Sequence, residues 1–179
     1  MKDNIKLLNL LIGKKIKRIA GDSDSIDINF EPEIETEYFK KWINETKTVS
    51  KYNLGIYCPW RVMKDNICLF GSCDCSNSKC DKLENGLDSE DVDTVLSDKL
   101  EWFQDSYIES GLYISNVTFN KKGDVSLELN NVFSIELLKC SATADRTEWV
   151  FTEYNRISAR VLVQNANNLE LDERFWVSL

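Results

Sequence analysis

Residues 53–71 read "NLGIYCPWRVMKDNICLFG". Leu54, Ile56, Cys58, Trp60 and Val62 fall on every second position, with Tyr57 and Arg61 between them. That period of two puts one set on a buried face and the other in solvent, which is the pattern of a half-buried β-strand. Lys64-Asp65-Asn66 is turn chemistry, and Ile67–Phe70 is a second strand returning beside the first. Pro59 has no N–H to give a ladder, so the first strand is expected to lie at a sheet edge or to bulge there.

Working outward, the neighbouring stretches follow the same rule. "KKIKRIAGDSDSIDINF" (14–30) alternates on both sides of Gly21-Asp22-Ser23-Asp24, with Ile26, Ile28 and Phe30 on one face, and reads as a hairpin. Asp22, Asp24 and Asp27 superficially suggest a calcium loop, but the glycine and distal glutamate of such a loop do not follow, and Asp and Ser serve the turn. "LYISNVTF", "DVSLELN", "VFSIELLK" and "SARVLVQ" form a C-terminal meander, joined in part by "NKKG" and "NN". "SATADRTEWVFTEYN" (141–155) reads as a polar connection carrying Trp149 and Phe151.

Three helical segments stand among these strands. In "NIKLLNLLI" (4–12), Ile5, Leu8 and Ile12 keep helical spacing and Gly13 supplies a stop. Residues 36–46 hold a helical turn or two with Phe39, Trp42 and Ile43. The main helix spans 88–109: Asp88 or Ser89 caps it, Val92, Val95, Leu96, Lys99, Leu100 and Phe103 form the stripe, and Gly111 ends it. The expected fold is a single α+β domain over residues 1–179: an antiparallel β-sheet of hairpins and a C-terminal meander, one main acidic amphipathic helix and a short N-terminal helix.

Composition narrows function. The chain has no histidine, which removes Ser-His-Asp and Cys-His catalysis and every metal site that needs an imidazole. No phosphate-binding loop or nucleophile elbow occurs. The formal charge is −8, and residues 83–109 carry nine acids against one base, Lys99, so that segment accounts for the whole imbalance. Such a patch repels phosphate backbones and attracts cations, so a basic protein partner is expected and nucleic acid is not. No signal peptide is read at the start and no apolar run is long enough to span a membrane, so the expected location is cytoplasmic.

Residues 68–80, "CLFGSCDCSNSKC", gather Cys68, Cys73, Cys75 and Cys80. The spacing C-x4-C-x-C-x4-C is not the pair of compact C-x(2–4)-C knuckles of structural zinc sites, although a loop can still converge four thiolates. A reactive thiol lacks an activating partner beyond Lys79, next to Cys80. The other reading is packing, with Cys58, Cys68 and Cys140 as small buried residues on strands. A four-cysteine zinc site in a structural or regulatory domain stands as the alternative function; no cofactor is expected on the leading one.

The core "LGIYCPWRVMKDNICLFGSCD" resembles a motif of small stand-alone bacterial proteins of unknown activity, in which a Cys-Pro-Trp-Arg hairpin is followed by Gly-Ser-x-Asp. The match falls on Cys58, Pro59, Trp60, Arg61, Gly71, Ser72 and Asp74, with a later Glu148, Trp149 and Phe151. Such proteins often carry a histidine in the first strand, where this chain has Gly55 or Tyr57, so any role of that histidine is absent. Some look like immunity proteins, and the resemblance implies a binding protein that neutralises a partner toxin.

These strands of reasoning converge on a non-enzymatic protein-binding domain, an immunity-type inhibitor of a basic toxin. Its contact residues are expected to be Asp91, Asp98, Glu101, Trp102 and Asp105, an aromatic ring among carboxylates. The competing reading of the same helix is a solvated face. Arg61 is expected to brace the hairpin, with Asp74 as a carboxylate within its reach.

Overall fold

A computed structural model describes residues 6–21, 25–72, 74, 95–120, 124–139, 147–165 and 168–175. Its strands are β1 (Ile16–Gly21), β2 (Ile26–Thr36), β3 (Lys47–Ile56), β4 (Trp60–Lys64), β5 (Ile67–Gly71), β6 (Ile114–Phe119), β7 (Val125–Leu129), β8 (Phe133–Leu137), β9 (Thr147–Tyr154), β10 (Ser158–Asn165) and β11 (Asn168–Phe175). They form two antiparallel sheets: a six-stranded one in the order β1-β2-β3-β9-β10-β11 and a five-stranded one in the order β5-β4-β8-β7-β6. A single helical turn, α1 (Lys40–Ile43), one main helix, α2 (Val95–Phe103), and a short N-terminal 3-10 turn complete a broadly α+β fold.

The alternation in 53–71 is real, yet the strand it marks belongs to both sheets. β3 pairs β2 and β9, whereas β4 pairs β5 and β8. Tyr57 N–H still donates to Glu148 O of the first sheet (2.8 Å), and two residues later Pro59 O accepts from Leu138 N–H of the second (2.8 Å). Pro59 therefore marks the crossing and not an edge: the position that cannot donate is where the chain leaves one ladder and has not joined the next. Leu54, Ile56, Cys58, Trp60 and Val62 remain buried throughout, because both sheets turn their inner faces to the same hydrophobic cluster.

Opposite the crossing, the sheets are stitched by backbone. Gly13 N–H donates to Ile114 O (2.7 Å), Ile114 N–H to Lys14 O (3.0 Å) and Ile16 N–H to Leu112 O (2.8 Å), which ties the start of β1 to the start of β6. Gly13 lies in this stitch at φ +79°. The preceding 3-10 turn, Lys6–Leu11, buries Leu8 and Leu11. Those positions are three apart, the 3-10 period, so Ile12 is left 43% exposed and not on the buried face.

β1 and β2 pair as the expected hairpin, with Ile19 opposite Ile28 and with Ile26, Ile28 and Phe30 buried on one face. β2 runs on to Thr36, past a register shift between Phe30 and Glu33 around Pro32. Within residues 36–46 only α1 is helical; it is closed by Asn44 at φ 54°, and Trp42 is 62% exposed. Two tight turns of the second sheet are built on left-handed residues, Asp65-Asn66 and Asn130-Asn131, whose short polar side chains tolerate that conformation.

The largest departure from expectation is at 147–154. The supposed polar connection is β9, hydrogen-bonded to β3 on one side and β10 on the other. Trp149 and Phe151 enter the core, and Glu148 and Thr152 are buried as well. β11, for which the sequence shows no clean alternation, pairs β10 along its whole length. The C-terminal meander is thus divided, β6–β8 in the five-stranded sheet and β9–β11 in the six-stranded one.

α2 packs Leu96, Leu100 and Phe103 inward. A π-helical turn, Gln104–Ile108, continues it and adds Ile108 to the core before Gly111 (φ +97°) ends the segment. The part of the expected helix N-terminal to residue 95 lies outside the described residues. Phe103 meets Phe70 and Phe133 edge-on, with ring centroids 5.5 Å apart in each pair. Edge-to-face contacts of this kind add about 0.5–1.5 kcal/mol each to the area they bury. Among the described residues no helix is long and apolar enough to cross a membrane.

Candidate functional site

With Leu96, Leu100 and Phe103 committed to the core, the opposite side of α2 faces solvent. Asp98, Glu101 and Trp102 are exposed there, at the i, i+3 and i+4 positions of one helical face, and Asp105 is exposed on the π-helical turn that follows. Trp102 is 45% exposed. Its ring stands edge-on against Tyr107 (5.4 Å, 85°), and Tyr107 rests in turn on Phe133 (4.8 Å). The indole is therefore held from beneath by an aromatic stack rooted in the core. Asp91 lies outside the described residues.

Lys99, the one base between residues 83 and 109, is turned away from this face. Its Nζ pairs with Asp74 Oδ1 at 3.1 Å, and Asp74 Oδ2 accepts the Gly71 N–H at 2.9 Å. One carboxylate thus fastens the helix to the end of β5. This is also where the Gly-Ser-x-Asp pattern acquires a physical reason. A Cβ on Gly71 would sit 2.4 Å from Trp60 O, closer than any side chain tolerates. Ser72 Oγ accepts the Trp60 N–H at 3.3 Å, and the Trp60 ring meets Phe70 edge-on.

Arg61 braces neither its own hairpin nor Asp74 but a neighbouring strand. Its Nε donates to Glu136 Oε2 at 2.7 Å, across the β4–β8 ladder where the two residues are direct partners. Glu136 pushes the guanidinium pKa still higher through that bond and its charge. Asp74 is already engaged by Gly71 and Lys99, which is why the pairing falls to the cross-strand glutamate.

The cysteines divide. Cys58 is buried at the crossing, as packing requires, whereas Cys68 is exposed on β5. The register shift that leaves Leu69 unpaired puts Cys68 opposite Met63 rather than in the core. Cys73, Cys75, Cys80 and Cys140 lie outside the described residues. Among the described residues no three Cys, Asp or Glu side chains are grouped to hold a metal ion.

Two features escape sequence reasoning. The first is a cleft of about 550 Å³ between the end of β2 and the β9–β10 turn, lined by Ile34, Glu35, Glu37, Lys51, Tyr154 and Arg156. Glu37 accepts a hydrogen bond from Lys40 Nζ (2.9 Å) and lies 3.5 Å from Arg156, and these cations hold its carboxyl below the usual range. Burial, and then the charges of Tyr38 and Asp27, push the Tyr154 phenol up. The second is Gln104, whose carboxamide sits on the edge of β1: Oε1 accepts the Ile19 N–H and Nε2 donates to Lys17 O, both at 3.2 Å. The cleft joins segments about 120 residues apart, and the cap joins segments about 85 apart, so neither leaves a local pattern to read. Comparison of the chain with protein-family models, with curated proteins and with solved structures returns no significant match.

Proposed function

We propose that this protein is a non-enzymatic cytoplasmic binding domain, an immunity-type inhibitor that neutralises a basic partner through the outer face of α2. The observation that carries the reading is the exposed Trp102 seated on Tyr107 among Asp98, Glu101 and Asp105, while the neighbouring Lys99 is drawn off to Asp74. A rigid aromatic ring supplies contact area at low conformational cost, and the surrounding carboxylates steer a cationic surface toward it. Asp91 extends the same acidic run by sequence. Association driven this way is fast and falls with ionic strength.

The test is affinity capture from the source lysate at low and at moderate salt, comparing wild type with Asp98→Lys/Glu101→Lys/Asp105→Lys. The expected result is a lysine- and arginine-rich protein retained by the wild type and lost both with salt and with the variant. Equal retention by the two proteins would overturn the assignment of the surface, and an empty capture at both salt concentrations would overturn the function.

A further inference from the structure

The cleft of about 550 Å³ at the end of the six-stranded sheet has the size of a small-molecule site. Its walls are fixed by the backbone. Glu37 N–H donates to Arg156 O (2.6 Å), and the buried Thr36 hydroxyl donates to Asn155 O (2.7 Å) while accepting the Tyr38 N–H (3.1 Å). The end of β2 and the β9–β10 turn are therefore held as one unit, and the space between them is formed before any ligand arrives, which lowers the ordering cost of binding.

One flank of the cleft is aromatic. Tyr154 lines it, and Tyr38 and Phe39 pack on the Tyr154 ring with centroids 5.9 and 5.7 Å away. Trp42 continues the cluster, 5.4 Å from Tyr38, and its ring is left open to solvent. The pairs Tyr38–Trp42, Tyr38–Tyr154 and Phe39–Tyr154 meet at 62°, 62° and 42°, so none of them makes the parallel slot that grips a planar base between two faces. What remains open is a single ring face, whose negative quadrupole attracts the C–H groups of a puckered ring.

The rest of the lining is polar and of both signs. Glu37 is neutralised by Lys40 and Arg156, whereas Glu35 and Lys51 enter no ion pair among the described residues. Thr46 and Asn155 add a hydroxyl and a carboxamide. An anion is drawn to Lys51 and repelled by Glu35, and a cation the reverse, so a net charge of either sign gains little. A small zwitterion matches the two charges and leaves the aromatic flank idle. A neutral ligand rich in hydroxyls, each both donor and acceptor, satisfies the carboxylate, the ammonium and the amide together. We infer that this cleft binds a neutral oligosaccharide, with Trp42 against the C–H face of one sugar ring and Glu35, Lys51 and Asn155 bonded to hydroxyls. The site uses none of the residues of the α2 face and does not depend on the function proposed for that face.

The experiment titrates the full chain singly with cellotetraose, mannotetraose, galactotetraose and chitotetraose, and with adenosine, glycine betaine and spermidine as the competing chemistries. Calorimetry gives the affinity, and magnetisation transfer from protein to ligand protons shows which face of the sugar is in contact. At least one tetrasaccharide is expected to bind, with the strongest transfer to ring C–H protons. Trp42→Ala and Glu35→Gln should each weaken that binding about tenfold or more while thermal unfolding stays unchanged, since both side chains are exposed. The Asp98→Lys/Glu101→Lys/Asp105→Lys protein should bind the sugar as wild type does, which separates this site from the helix face. Binding of no tetrasaccharide, sugar binding indifferent to either cleft variant, or binding only of adenosine, betaine or spermidine would each overturn the inference.

Discussion

Gln104 completes the backbone hydrogen bonding of Ile19. Its side-chain carboxamide takes the Ile19 N–H and returns a donor to Lys17 O, both at 3.2 Å, as a residue on a seventh strand would. The π-helical turn that begins at Gln104 follows directly on α2, so the helix that presents the acidic side chains also seals the edge of β1. Gln104→Leu should lower stability by about 1 kcal/mol, the net worth of a typical hydrogen bond. Exchange of the Ile19 amide should accelerate with it. Gln104→Glu keeps the acceptor but loses the donor, and its urea midpoint should lie between that of the leucine variant and that of wild type.

The two aromatic neighbours on α2 should respond in opposite ways. Phe103 is fully buried among Phe70, Tyr107 and Phe133, and Phe103→Ala is expected to cost about 3–5 kcal/mol. Trp102 is nearly half exposed, and Trp102→Ala should cost about 1 kcal/mol or less while abolishing partner capture. Chemical denaturation of both variants gives the comparison. A large stability loss at Trp102 would assign it to the core and remove it from the binding face.

Glycines 71 and 111 separate two kinds of constraint. Gly71→Ala drives a methyl group to 2.4 Å from Trp60 O and 3.0 Å from the Arg61 Cα, both backbone atoms of β4 that move only if the hairpin opens. A loss of about 2–3 kcal/mol is expected, the upper range for overpacking. At Gly111 there is open space, and only the positive φ resists, so Gly111→Ala should cost about 1 kcal/mol. The reverse order in thermal unfolding would contradict the close approach at Gly71.

Acid should reveal Glu37. Lys40, by hydrogen bond and charge, and then Arg156 hold its pKa below that of the unfolded chain. A depressed carboxyl contributes stability that is present above its unfolded pKa and is lost as pH falls through the folded one. Wild type should therefore lose stability relative to Glu37→Gln as pH drops from about 5 to about 3, while the two keep a constant difference near neutrality. The group is partly open to solvent, so added salt should flatten the difference.

Much of the fold is legible because burial follows period. Ile26, Ile28 and Phe30 alternate in the sequence and in the core, and Leu96, Leu100 and Phe103 keep the helical stripe. The sheet crossing at Cys58-Pro59 is not legible for the same reason: the alternation from Leu54 to Val62 runs unbroken when both sheets face one cluster. β9 is hidden differently. With neighbours on both sides and both faces partly covered, it buries Glu148 and Thr152 beside Trp149 and Phe151, so its sequence mixes polar and apolar residues like a loop.

The candidate site divides along the same line. The exposure of Asp98, Glu101, Trp102 and Asp105 follows from the stripe opposite them, a local matter. The partners of Arg61 and Lys99 do not, since Glu136 and Asp74 are chosen by strand register and helix placement across 75 and 25 residues. Long-range pairings of this kind are set by topology, which a residue window does not contain.

The division of the meander has a consequence in time. β3 finds its second neighbour only when β9 arrives, with Ile56 opposite Trp149. On a ribosome adding about 5–20 residues per second, the roughly hundred intervening residues mean some 5–20 s during which the β1–β3 half-sheet carries an inner strand paired on one side only. In the mature protein that strand is paired on both sides, and during synthesis it is one with a free side. Nascent chains halted between residues about 60 and 145 should therefore be the ones that depend most on chaperones, and release from that dependence should coincide with emergence of Thr147–Tyr154.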